Sequence, residues 1–274
     1  MAELDRLLLN SEKPLIMGIL NVTPDSFYDG GKYFETSSAI DRAFEMAENG
    51  ADIIDIGGES SRPGSEPVTE SEEIDRVLPI IEAVSNKISS HISIDTYKAN
   101  VAKIALYSGA SIVNDISALR FDELMVSVIK DSDAHVILMH MLGDPQTMQN
   151  NPQYDDVVGE ILGFLNDRID FAVEFGIPKR HIIIDPGIGF GKTTEHNLSI
   201  LRYIGRFNDL DCPVLVGASH KSMIGKITGA SIDERTWGSA AIVAHCVMQG
   251  VLIHRVHDVR KMKQVCEISF AIKG

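Results

Sequence analysis

The chain has 274 residues, 44% of them apolar and 23% charged, with a formal net charge of −14. The acidic balance argues against nucleic acid as a partner, and no apolar stretch approaches the ~20 residues needed to span a bilayer. Cys212, Cys246 and Cys266 are widely spaced and odd in number, which excludes a disulfide framework or a cysteine metal motif.

Residues 1–13 carry Glu3, Asp5, Arg6 and Glu12 and no signal-peptide core, so a reducing cytoplasm is expected. From residue 15 onward, eight short runs rich in Ile, Val and Leu recur at 15–20, 52–56, 91–94, 111–113, 135–139, 181–184, 213–216 and 251–253. Each has the length and composition of a buried parallel strand. Helical periodicity fills the gaps, at 36–49, around 74–81 after the capping residues Thr69 to Glu72, and at 97–107, 122–130, 154–175, 195–207, 233–249 and 258–272. No Pro/Gly/Ser linker interrupts the alternation. The pattern predicts α/β architecture, a single (β/α)8 TIM barrel over 1–274 with two long loops, 21–35 and 57–68, on its catalytic face after strands 1 and 2.

In such a barrel, chemistry sits at the C-terminal ends of the strands. The residues there include Asn21, Asp55, Asp95, Asn114, His140, Asp185, Lys221 and Arg255. Asp95, Asn114 and Asp185, from strands 3, 4 and 6, offer two carboxylate acceptors and one amide, a set suited to a flat heterocycle with several N–H groups. The plainer alternative for any one of them is a helix cap or a lysine partner. Arg62, Lys221, Arg255 and His257 supply cations for a small anionic substrate. Arg255 and His257, two apart on an extended segment, point the same way and lie where barrels often bind phosphate. The alternatives are an Arg255 ion pair to a barrel aspartate and a capping role for His257.

Two motifs mislead. The segment Gly187 to Thr193 suggests a phosphate-binding loop, but Pro186 stands where that loop requires glycine. It reads better as a tight turn that brings backbone close to a ligand, with Phe190 as a stacking face. Among nine histidines no zinc-type spacing occurs, so no structural zinc is expected, and His135 and His181, at the non-catalytic ends of their strands, are expected to be structural.

Residues 18–31 (GILNVTPDSFYDGG) and 55–65 (DIGGESSRPGS) resemble the two signatures of the dihydropteroate synthase family. Asp95-Thr96, Asn114-Asp115, Met148-Gln149, residues 185–192 (DPGIGFGK), Lys221-Ser222 and Arg255-Val256-His257 extend the resemblance, in order, over essentially the whole chain. It implies a transferase that condenses 6-hydroxymethyl-7,8-dihydropterin diphosphate with 4-aminobenzoate, giving 7,8-dihydropteroate and diphosphate. It further implies a pterin slot of Asp95, Asn114, Asp185, Lys221, Met139 and Gly217. The 4-aminobenzoate side would be Ser61, Arg62, Pro63, Ser222, Phe27 and Phe190. A diphosphate corner of Asn21, Arg255 and His257 would hold Mg2+ with Asn21 as ligand, and Arg62, Lys221, Arg255 and His257 would carry the chemistry. A homodimer through the late helices is expected. Ser61, His220 and Tyr28 depart from the usual Thr, Arg and Ser without removing a required group. A corrinoid-dependent pterin methyltransferase would need neither the diphosphate corner nor the Ser61-Arg62-Pro63 loop. A non-catalytic relative would be expected to lack Asn21, Arg62, Lys221 or His257.

Overall fold

Two-residue alternation along the strands decides which side chains enter the barrel and which face the helices. The structure, a computed structural model, describes residues 2–10, 13–23, 31–60 and 64–274. Its strands are β1 (Leu15–Asn21), β2 (Ile53–Gly57), β3 (His91–Asp95), β4 (Ile112–Asp115), β5 (His135–Met139), β6 (Ile182–Asp185), β7 (Leu215–Val216) and β8 (Ile253–Val256). All pair in parallel, in the order β6-β5-β4-β3-β2-β1-β8-β7. A parallel bridge between Ile184 and Val214 brings the two ends of this sheet together. The predicted (β/α)8 barrel is therefore present.

One set of strand residues, Leu15, Met17, Ile53, Ile112, Ile137, Ile183, Leu215 and Ile253, packs as a cluster inside the barrel. Their neighbours in sequence, including Ile16, Ile54, Val113, Val136, Leu138, Ile182, Ile184, Val214 and Val216, pack outward against the helices. Following the inner set two residues at a time toward the C-terminal strand ends leads to Asp55, Asn114, Met139, Asp185, Gly217 and Arg255, and Asp95 stands beside Asn114 in the β3–β4 register. The sequence pattern thus fills the base with hydrocarbon and the mouth with polar groups.

The surrounding helices are α1 (Ala2–Asn10), α2 (Gly31–Glu48), α3 (Glu70–Val84), α4 (Ala99–Tyr107), α5 (Met125–Ser132), α6 (Val157–Glu174), α7 (Thr194–Arg202), α8 (Ser222–Thr228), α9 (Thr236–Met248) and α10 (Val259–Lys273). Several differ from the sequence reading. α1 was not expected. Leu4 and Leu8, one helical turn apart, join the inner cluster and close the barrel base, so a helix too short to be stable alone is secured by tertiary burial. α2 begins at Gly31 rather than 36, which shortens the first loop. α5 begins at Met125 because Asp122 is engaged elsewhere, accepting from the N–H groups of Ala99 and Leu124. The predicted helix 195–207 is split into α7 and a 3-10 turn, Ile204–Leu210. α8 was missed. It is only seven residues long and stops at Gly229, which adopts a left-handed conformation (φ 76°). β7 is shorter than 213–216. Pro213 has no N–H to give, although its carbonyl accepts from Ile184 at 3.0 Å. β8 lies later than 251–253 and carries Arg255 within the strand.

Leu4 is fully buried at the base. Leu4→Ala should cost about 2–5 kcal/mol, the range for a buried leucine leaving a cavity. Urea unfolding should show a lower midpoint at unchanged slope, and a change within about 0.5 kcal/mol would show that α1 does not seal the barrel.

Candidate active site

Arg255 stands at the centre of the barrel mouth. Its Nε donates to Asp55 Oδ2 at 2.6 Å, and its Nη2 lies 2.6 Å from both Asp55 Oδ2 and Asp95 Oδ2. Asn114 Nδ2 donates to the same Asp55 oxygen at 3.0 Å. Three residues assigned to the site by sequence, Asp95, Asn114 and Arg255, are thereby joined through Asp55, which that assignment did not include. Its signal was strand parity: Asp55 lies two residues after the inward-facing Ile53. The ion-pair alternative for Arg255 is realised, with two carboxylates rather than one.

Asp185 ends β6 and is 5% exposed. Its Oδ1 accepts the Gly187 N–H at 2.7 Å. Gly187 is required there, since it has φ 69° and an added Cβ would lie 2.0 Å from the His140 carbonyl oxygen. The expected tight turn after Asp185 is therefore present. Burial raises the Asp185 carboxyl, opposed by the Gly187 N–H and by Lys221, Arg255 and Lys192. Gly217 lies directly across, where an added Cβ would be 4.0 Å from Asp185 Oδ2 and 3.8 Å from Arg255 Cβ.

Lys221 precedes α8 and reaches back into the mouth, its Nζ 4.2 Å from the centre of the Phe190 ring. That distance is within cation–π range. Burial, with Arg255 adding to it, lowers the ammonium to about 8. Phe190 and Met139 belong to an apolar wall with Ile116, Met141 and Met148, against which Tyr97 packs. Gln149 fixes this wall by donating from Nε2 to the Gly189 carbonyl at 2.6 Å. Ser222, the first residue of α8, is exposed beside Lys221.

At the opposite rim, Asn21 ends β1 and is partly exposed. His257 follows β8, its Nδ1 3.0 Å from Ser219 Oγ, and its backbone N–H is 3.3 Å from the same hydroxyl. His220 takes a left-handed conformation (φ 55°), and its ring centre is 5.3 Å from that of His257. Ser61, Arg62, Pro63, Phe27 and Tyr28 lie outside the described residues. The flanks of 61–63 are held firmly, however. Glu59 accepts from Tyr97 Oη at 2.6 Å, from Lys98 Nζ at 2.6 Å and from the Val68 N–H at 3.1 Å. Lys98 also contacts Glu73 Oε2 at 2.5 Å and the Val68 carbonyl at 2.8 Å.

Sequence reasoning also missed Lys192. It is buried beneath the wall, with Nζ 2.9 Å from His140 Nδ1 and 2.9 Å from the Phe190 carbonyl, and burial lowers it to about 7. Its location in the discarded phosphate-loop look-alike was the only hint.

A heterocycle slot emerges, with carboxylates and an amide on one side, a sulfur- and aromatic-lined wall on another, and Lys221 between them. Residues 17–257 match the family model described as pterin binding enzyme. A dihydropteroate synthase of Synechocystis sp. is 45% identical over 262 residues, covering 95% of this chain and 91% of that protein. Among solved structures, the Yersinia pestis dihydropteroate synthase with a sulfonamide drug superposes with a TM-score of 0.91 at 41% identity, covering 95% of this chain and 94% of the other. The Xanthomonas albilineans enzyme in complex with 7,8-dihydropteroate gives 0.87 at 39% identity, covering 96% and 95%.

Asp95 shares one guanidinium with Asp55. Burial raises its carboxyl to about 7, against the pull of Arg255 and with Asp55 adding to the rise. A carboxyl raised above its unfolded value of about 3.9 stabilises the fold while protonated, so this contribution is full below about pH 4 and is lost as pH rises to about 7. Carbon-detected NMR of the ligand-free protein should find the Asp95 titration centred near 7. A midpoint in the ordinary range, about 3.9, would show that the pull of Arg255 outweighs burial at this carboxyl and would overturn the expected rise.

Proposed function

Because the chain belongs to the pterin-binding enzymes, among the dihydropteroate synthases, we infer that it joins 6-hydroxymethyl-7,8-dihydropterin diphosphate to 4-aminobenzoate, releasing 7,8-dihydropteroate and diphosphate. The observation that carries the site assignment is the convergence of Asp95, Asn114, Asp185 and Lys221 on one slot beside an apolar wall. The pterin ring has N–H and exocyclic amine donors for Asp95 and Asp185, and acceptors for Asn114 and Lys221. Met139 and Gly217 leave room for a flat ring. Phe190, Ser222 and the 61–63 loop form the 4-aminobenzoate side, with Phe27 contributed by the first loop.

At the reacting carbon, the exocyclic C–O bond breaks with its electron pair leaving on diphosphate, and the amine lone pair of 4-aminobenzoate forms the new C–N bond. The amine then gives up a proton. The electron-rich pterin shares the positive charge on its methylene, which favours bond breaking ahead of bond making. Lys221 and His257 place donors near the departing charge. Arg255 serves by holding Asp55 and Asp95 in position and by adding positive potential to the mouth. Arg62 completes the anion side as the 57–68 loop closes and excludes water.

The residues at the rim fit Mg2+. Asn21 offers a carboxamide oxygen on a partly exposed strand end, and a hard cation of this size is commonly bound by one or two protein oxygens plus substrate phosphates and water. When bound there, Mg2+ supplies charge neutralisation to the diphosphate.

The reading extends to assembly and compartment. Ile227, Ile232, Trp237, Met248, Ile268 and Ile272 are exposed on or beside α8, α9 and α10. This apolar face supports a homodimer formed through the late helices, away from the mouth. No helix among the described residues is long and apolar enough to cross a membrane, and the three cysteines are free and buried. Both observations suit a cytoplasmic enzyme.

Diphosphate release that requires 4-aminobenzoate tests the reaction; release at the same rate without the amine would refute it. Asp185→Asn should weaken pterin diphosphate binding by roughly 1.5–3 kcal/mol, the value of one charge-assisted hydrogen bond, when measured by calorimetry. Arg62→Ala should keep that affinity and a melting curve within about ±0.5 kcal/mol of the parent, while turnover with 4-aminobenzoate falls steeply. Near-normal turnover would return Arg62 to the role of a solvated loop residue.

A further inference from the structure

At the end of the barrel opposite the mouth, α1 brings a carboxylate against two buried imidazoles. Asp5 Oδ1 lies 3.0 Å from His135 Nε2 and 3.4 Å from His181 Nε2. His135 opens β5 and His181 immediately precedes β6, and both are almost wholly buried. Their rings stack with centres 4.4 Å apart. His181 is the informative member, because neither of its ring nitrogens has a hydrogen-bond partner although the residue is 1% exposed. A buried Nε2 that makes no hydrogen bond and stands 3.4 Å from a carboxylate oxygen is costly unless something else is bound between His181 and Asp5.

We propose that Asp5, His135 and His181 form a binding site for a zinc-class divalent transition metal that fastens α1 to the base of the barrel. The donor set is two imidazole nitrogens and one carboxylate oxygen, which suits zinc and its neighbours rather than Mg2+ or Ca2+. Tetrahedral ligands about 2.1 Å from zinc stand about 3.3–3.5 Å from one another, and the two Asp5 separations lie close to that spacing. The three donor atoms fall within 4.8 Å of each other. Water completes the fourth position. His181 Nδ1 faces Asp133 Oδ1 at 3.6 Å, the carboxylate that commonly orients a metal-bound histidine. Arg180, 3.7 Å from the other Asp5 oxygen, is half exposed and screened by solvent.

The site is distinct from the diphosphate corner. His135 and Met139 stand at opposite ends of β5, about 13 Å apart at 3.3 Å per residue. The sequence concealed the cluster because its members are separated by 130 and 46 residues and match no metal motif.

The test uses the full chain, stripped with chelator and titrated with Co2+ and then Zn2+. The expected result is uptake of one equivalent of Co2+ with a visible spectrum of tetrahedral type, displaced by Zn2+ and not by excess Mg2+, with Zn2+ raising the thermal midpoint. Asp5→Ala, at a partly exposed position that should not prevent folding, and His181→Ala should lose the spectrum, and Asp133→Asn should weaken binding about tenfold. Failure of the parent chain to take up stoichiometric metal would overturn the proposal, as would unchanged uptake in Asp5→Ala. If His181→Ala does not fold, the parent chain and Asp5→Ala decide the question.

Discussion

The guanidinium of Arg255, held between Asp55 and Asp95, is the interaction around which the mouth is arranged. Three strands that are not all neighbours in sequence, β2, β3 and β8, are tied together by one side chain, and β4 joins through Asn114. Removing such a cation from a buried cluster leaves carboxylates without a counterion, which is far costlier than losing a surface pair. The same arrangement makes the mouth electrically responsive. With two acids on one base, a ligand that donates to Asp95 or brings negative charge near Arg255 alters the proton affinity of the remaining members.

The loop bearing Ser61 to Pro63 depends on a second, smaller polar knot. Glu59 and Val68 stand at its two ends, and Lys98 at the start of α4 grips both, with Glu73 of α3 and Tyr97 completing the set. Nine residues separate Glu59 from Val68, yet their positions are fixed by direct contact. Lys98 thus ties both ends of this loop to one point at the start of α4.

Strand composition and period made the barrel and its polar mouth legible, because buried parallel strands must be apolar on both faces except where they end. The same logic located Asp95, Asn114, Asp185 and Arg255. What escaped were features decided by partners distant in the chain. Asp55 is visible in the sequence as a polar strand end, but its pairing with Arg255, 200 positions on, is decided by the fold. Lys192 sat in a glycine-rich turn whose apparent meaning was false, and its burial against His140 is purely tertiary. α1 and α8 were too short for periodicity to mark, and each exists because a neighbouring surface accepts its apolar side. The first loop was read as longer than it is, since the turn of α2 beginning at Gly31 carries little apolar signal.

The seam between β6 and β7 gives the ring an unequal circumference. Elsewhere neighbouring strands share registers of two to five residue pairs, whereas Ile184 and Val214 make a single bridge and β7 itself is two residues long. Asp185 and Gly217 flank that joint, one on each side. The ring is therefore joined least where Asp185 and Gly217 face one another: continuous ladders carry Asp95 and Asn114 on one side of the mouth, and the sparsest seam of the barrel carries the other.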